Sequence, residues 1–163
     1  MAVSMFLKLE GKEVKGESVV QGHKDEIDVH SWAWGMHQSG SMHHGTGGGS
    51  GKVNVQDIHI HKMVDKASPV LIGHCCSGQH FDKATLIIEK AGGDKHVPYL
   101  KIEMEGVIIS GYNTGGHGGD DRIKESLTLN FAKYKVVYTP QSAKGTAEAE
   151  ITQSFNIAEN RLV

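Results

Sequence analysis

The sequence predicts a mainly-β protein, a barrel or sandwich with one short α-helix and one long extended loop. Three observations predict it. Apolar and polar residues alternate through several runs, which is the period of a half-buried strand. Gly, Asn, Asp and Pro cluster between those runs, as they do in turns. Only one stretch, residues 69–77, departs to helical spacing. A chain of 163 residues fits a single domain, residues 1–163, with a substantial core.

The first strand is read at residues 3–9, where Val3, Met5, Leu7 and Leu9 alternate with Ser4, Phe6 and Lys8. Gly11 and Gly16 bracket a charged turn. Ile27 and Val29 then place apolar groups at odd positions, and Trp32, Trp34 and Met36 place them at even ones. That switch of parity predicts a bulge, or a long strand whose halves face different layers. The face opposite the tryptophans carries Ser31, Ala33 and Gly35. It is small and uncharged, which fits either a plain solvent face or a surface lining a lumen or meeting a partner. Val53 and Val55, then Ile58 and Ile60, repeat the parity switch on a second arm.

Between the two arms, residues 35–51 contain seven glycines in 17 positions. Loops of this length inside a domain are mostly functional or disordered. Glycine is the residue whose backbone loses most entropy on ordering, so the loop is expected to stay mobile unless another molecule holds it. The helix follows: Ser68 is the expected N-cap, Pro69 the first helical residue, and Gly78 the stop. Everything beyond reads as strand. The runs are 84–89, a turn at 91–94, 100–104, 107–112, a second glycine loop at 113–119, 127–132, a loop at 139–145, and 147–157. The last has the cleanest alternation: Ala147, Ala149, Ile151, Phe155 and Ile157 against polar neighbours.

Net charge is −2 with histidine neutral, so no nucleic-acid footprint is expected. No apolar run approaches the ~20 residues of a membrane helix, so no membrane insertion is expected. The start, MAVSMFLKLE, lacks the basic and apolar regions of a signal peptide. The protein is therefore expected to be made in the cytoplasm without a cleavable signal. Cys75 and Cys76 are adjacent and read as two thiols rather than a staple. The run 45–52, GTGGGSGK, departs from a phosphate-binding loop, because Thr46 stands where that motif needs glycine and Val53 where it needs Ser or Thr. His59 and His61 share a strand face but lack the partners of a structural zinc site. No catalytic, cofactor or metal residue is assigned.

Several stretches together resemble the haemolysin-coregulated protein (Hcp) family, the tube protein of bacterial type VI secretion. They are MFLKLEGKEVKGES, EIDVHSWAWGMHQSGSM with its glycine loop, and KVNVQDIHIHKMVDKASP. TLIIEKAGG, TGGHGGDDRIKESLTLNFAKYKVVYTPQ and FNIAEN continue the match over essentially the whole chain. The resemblance implies a two-sheet β-barrel with one helix, like a phage tail tube, assembled as a homohexameric ring. It implies stacked rings forming a tube inside sheath proteins, effector proteins carried in the channel, and a spike of the valine-glycine repeat family at the tip. It implies secretion through the type VI apparatus and no enzymatic activity. It gives the loop residues Gly40, Ser41, Met42, His43, His44, Gly45, Gly47, Gly48 and Gly49 a role in contacting the neighbouring ring. Ser31 and Ala33 become candidates for the channel wall. A reading from a different class is a monomeric β-barrel that binds a ligand or metal through its histidines.

Overall fold

The alternation at the start of the chain builds β1 (Val3–Glu10). Leu7 and Leu9 enter the main core, while Phe6 is buried on the other face. The structure, a computed structural model, describes residues 3–43, 51–92 and 95–163. After a loop come β2 (Ile27–Asp28), β3 (Ser31–Ala33), β4 (Met36–His37), β5 (Asn54–Val55) and β6 (Ile58–Met63). Helix α1 (Ser68–Ser77) follows, then β7 (Phe81–Gly92), β8 (Lys95–Gly115), β9 (Lys124–Tyr138), β10 (Ile151–Asn156) and β11 (Arg161–Leu162). The mainly-β class with one helix is as expected. The turn between β7 and β8 includes residues 93–94, which lie outside the described residues.

Nine strands form one antiparallel sheet in the order β11-β10-β9-β8-β7-β1-β2, with β6 on β9 and β3 on β6; β4 and β5 form a separate ribbon. The ladder is open rather than a closed barrel. One segment spans the gap. Its start pairs with β1 (Leu7↔Ile27) and its end with β6 (Ser31↔His61). This crossing is the physical reason for the parity switch after Val29, where the chain changes neighbours and turns a new set of side chains inward.

Strands β8 and β9 are longer than the alternation alone divides them. The two runs on either side of Gly106 are one strand, β8. Buried positions change parity there, from Ile102 and Met104 to Val107 and Ile109. On β9 they change from Leu129 and Phe131 to Tyr134. Gly106 has φ +63°, and a Cβ on it would lie 3.2 Å from that of Ala132. The left-handed backbone is open to glycine at little steric cost, so the paired strands coil here and re-aim the core face. β8 also continues to Gly115, into the expected second glycine loop.

Two further expectations are corrected. Helix α1 starts one residue early, with Ala67 at the cap position and no side-chain cap. Ser68 is drawn away to Glu125, its hydroxyl donating at 2.8 Å. Gly78 does terminate the helix, with φ 64° and its N–H on the His74 carbonyl. The strand expected over 147–157 is regular only from Ile151 to Asn156, and Ala147 makes one bridge to Gln141.

Candidate assembly and cargo surfaces

The base of the glycine-rich loop is firmly built. The β4–β5 ribbon pairs Met36 with Val55 and His37 with Asn54. The Trp34 indole N–H donates to the Gln56 carbonyl at 2.9 Å. Its ring meets Tyr134 edge-on at 4.8 Å, and the Tyr134 hydroxyl donates to Met36 Sδ at 3.8 Å. Tryptophan and tyrosine each bury a large ring while their polar tips find partners. Of the candidate loop residues, Gly40, Ser41, Met42 and His43 are described, and Met42 is 82% exposed. His44, Gly45, Gly47, Gly48 and Gly49 lie outside the described residues, as does most of the phosphate-loop-like run.

Ser31 and Ala33 lie exposed on the outer face of β3, with half-buried Trp32 turned to the core between them. Register extends this face over four strands. Ser31 stands opposite His61, His61 opposite Ser126, and Ser126 opposite Asn113. The next row is Ala33, His59, Thr128 and Gly111. The histidine pair read from sequence as isolated therefore shares a surface with the two small residues. The signal was present: His59 and His61 alternate with buried Ile58 and Ile60, so their outward direction was set. Their neighbours were not, because strand pairing order is not written in periodicity.

Beneath this face lies a charged network that the alternation did not announce. Lys62 is 1% exposed. Its ammonium donates to the Met63 carbonyl at 2.8 Å, to Asp65 at 2.9 Å, and to Glu125. Glu125 also accepts from Ser68 and from the Tyr112 hydroxyl. Tyr112 is pushed up to about 12, first by burial and then by its bond to that carboxylate. A buried ion pair survives only when its remaining donors and acceptors are satisfied, and here they are. The network ties the start of α1 to β6, β8 and β9. Parity did carry a hint, since Lys62 follows Ile58 and Ile60 in phase, and Glu125 precedes Leu127 and Leu129 in phase.

A second buried cluster pins the loop after β1. His23 Nδ1 lies 2.7 Å from Glu26 and Nε2 lies 2.8 Å from Glu89. The ring stacks flat on Phe6, centroids 4.2 Å apart and 3° from parallel. Burial alone would lower this histidine, but the hydrogen bonds and charges of Glu26 and Glu89 outweigh it and raise it. A neutral imidazole has one N–H, so the doubly protonated ring is the form that satisfies both carboxylates. The same loop brings Gly16 against the backbone of Glu26, where a Cβ would lie 2.2 Å from a carbonyl oxygen.

The far edge of the sheet is different in kind. Ile151 is 63% exposed and Leu162 71%, with Tyr138 beside Ile151 and Val163 after Leu162 also exposed. Across the strands, Ile151 pairs with Tyr138 and Leu162 with Phe155. Elsewhere, Asp120 accepts from the His117 N–H at 3.1 Å and sits 3.2 Å from its ring. Both cysteines are free thiols. Among the described residues, no three His, Cys, Asp or Glu side chains come together to hold a metal ion, and no helix is long and apolar enough to cross a membrane.

Comparison with known proteins identifies the chain. The family model described as type VI secretion system effector, Hcp, matches residues 6–138. Protein hcp1 of Pseudomonas aeruginosa is 50% identical over 161 residues, 98% of each chain. Hcp1 from Salmonella typhimurium is 34% identical, covers 100% of both chains and superposes with a TM-score of 0.79. A solved type six secretion system protein, 30% identical over 99% of this chain and 100% of its own, reaches 0.91. The chain belongs to the Hcp family of type VI secretion proteins.

Proposed function

We propose that this chain is the subunit of a hexameric ring whose copies stack into the type VI secretion tube, with effector proteins carried in the channel. The observation that carries the reading is the exposed apolar edge of Tyr138, Ile151, Leu162 and Val163. Ile151 opens the regular part of the last strand run, and a folded monomer leaves these four side chains exposed. A contiguous exposed apolar surface rimmed by polar groups marks an interaction site. A head-to-tail contact whose rotation closes gives a ring. Ser31 and Ala33, small and outward, suit a wall that a folded cargo approaches closely. The glycine-rich loop, raised on the Trp34–Tyr134 base, suits contact with the next ring. The remaining partners of this reading are the valine-glycine repeat spike at the tip and the sheath proteins around the tube. The product leaves the cell through the type VI apparatus, and the role is structural rather than enzymatic.

Negative-stain imaging and native mass measurement of the purified protein test this directly. Rings of six copies are expected, and a monomer at micromolar concentration overturns the reading. Removing residues 41–50 should leave rings intact and abolish stacks. Loss of the ring itself would assign the loop to contacts within it.

A further inference from the structure

We infer that the outer face bearing Ser31 holds a receptor pocket for a carboxylate-rich segment of cargo. A depression of about 430 Å³ opens on this face, within the ~300–1,000 Å³ range of ligand sites. Ser31, His61, Ser126 and Asn113 form one cross-strand row along it, and His30 stands at its border. The adjoining row places Lys124 between Met63 and Gly115. Gly115 has nothing within 4 Å of where a Cβ would be, so the missing side chain deepens the hollow next to the lysine.

The outward lining is one-sided in charge, although its serines, histidines and asparagine can accept as well as donate. The side chains of Ser31, His30, His61, Asn113, Ser126 and Lys124 make no hydrogen bond or ion pair with any described residue. All six offer donors, and one is a cation. The single carboxylate at the pocket, Glu125, is 3% exposed and already held by Lys62, Ser68 and Tyr112. No Asp or Glu occupies the outward positions of the two rows. A site with a cation and several unspent donors, whose only acid is engaged below the floor, selects an anion. Carboxylate is the anion a protein cargo presents, and charge-assisted bonds to it are the stronger kind. The inference rests on the reading that this face lines the channel, since only then does a cargo chain meet it.

The test uses the purified full chain and a fluorescein-labelled hexaglutamate peptide, followed by anisotropy at low ionic strength, with hexaserine and hexalysine as comparisons. Hexaglutamate should bind and the other two should not. Lys124→Glu should weaken binding by about tenfold or more, equivalent to ~1.4 kcal/mol. Gly115→Leu, which fills the hollow without changing charge, should weaken it comparably. Lys144→Glu, the same charge change in the exposed 142–146 turn, should leave it unaltered. Equal loss in Lys144→Glu, equal binding of hexaserine, or no hexaglutamate binding by intact rings overturns the pocket. Native mass run on the same samples keeps the two readings apart. A monomer that binds hexaglutamate with this variant pattern upholds the pocket and removes the ring.

Discussion

The two halves of β9 are both paired along each edge, and they lead to different surroundings. Residues 124–129 are paired on both edges, by β6 and β8, and bury Glu125, Leu127 and Leu129 completely or nearly so. Residues 133–138 are also paired on both edges, by β10 and β8, yet they lead out to Ile151, Leu162 and Val163 in solvent. In the first half the hydrophobic pattern is completed by folding. In the second the neighbouring strands leave apolar side chains exposed. Strand periodicity reports that a face will be buried, and it does not report by whom.

Breaking the first half should have the largest effect on folding. Glu125→Ala removes the acceptor shared by Lys62, Ser68 and Tyr112 and leaves buried Lys62 with Asp65 as its one carboxylate. A loss of about 3–5 kcal/mol is expected, read as a drop in the denaturant midpoint. A loss below about 1 kcal/mol would mean that the network contributes little to the fold. Breaking the second half should do the reverse. Ile151→Asp with Leu162→Asp should change folding stability by no more than about 0.5 kcal/mol and abolish rings in size exclusion. A variant that is itself unfolded would show that the edge packs within the subunit.

Ala33→Arg sharpens the contrast from the outer face of the first half. The change avoids the side of Trp32 and Trp34, so rings should persist while effector co-purification falls. An insoluble or monomeric variant would place Ala33 in a packed interface. The smallest effect belongs to His23, outside both halves. Its folded-state value is raised, so its stabilisation is fully present below the ordinary histidine value of ~6.5 and fades as pH rises through the raised one. Wild type should therefore lose stability between pH 6 and pH 9 relative to His23→Gln. Two parallel pH profiles would remove the histidine from the account.

Much of this fold was legible in residues whose behaviour is local. Gly78 ends the helix because glycine tolerates a positive φ, and Leu127 and Leu129 are buried because strand period is two. Ser31 and Ala33 were legible as one outward face for the same reason. What escaped notice is what depends on distant partners. Ser68 looked like a cap, but Glu125, 57 residues away, holds its hydroxyl. His59 and His61 looked isolated because nothing in the chain says that β3 will lie beside β6. The run after Gly106 reads as a continuation of the one before it, but the coil that re-aims the core face there is displayed only in the paired sheet.

That coil and the split edge of β9 also have a mechanical meaning. One edge of β9 is held by β8 from end to end, while the other is gripped by β6 at one end and β10 at the other. A pull on β10 along the strand direction cannot peel β9 away bond by bond. It loads the short ladder between β10 and β9 in shear, and the longer ladder to β8 behind it holds β9 in place. Force arriving at β10 is thus delivered along β9 toward the face carrying Ser31 and Ala33, with Gly106 and Ala132 as the point where that strand pair bends.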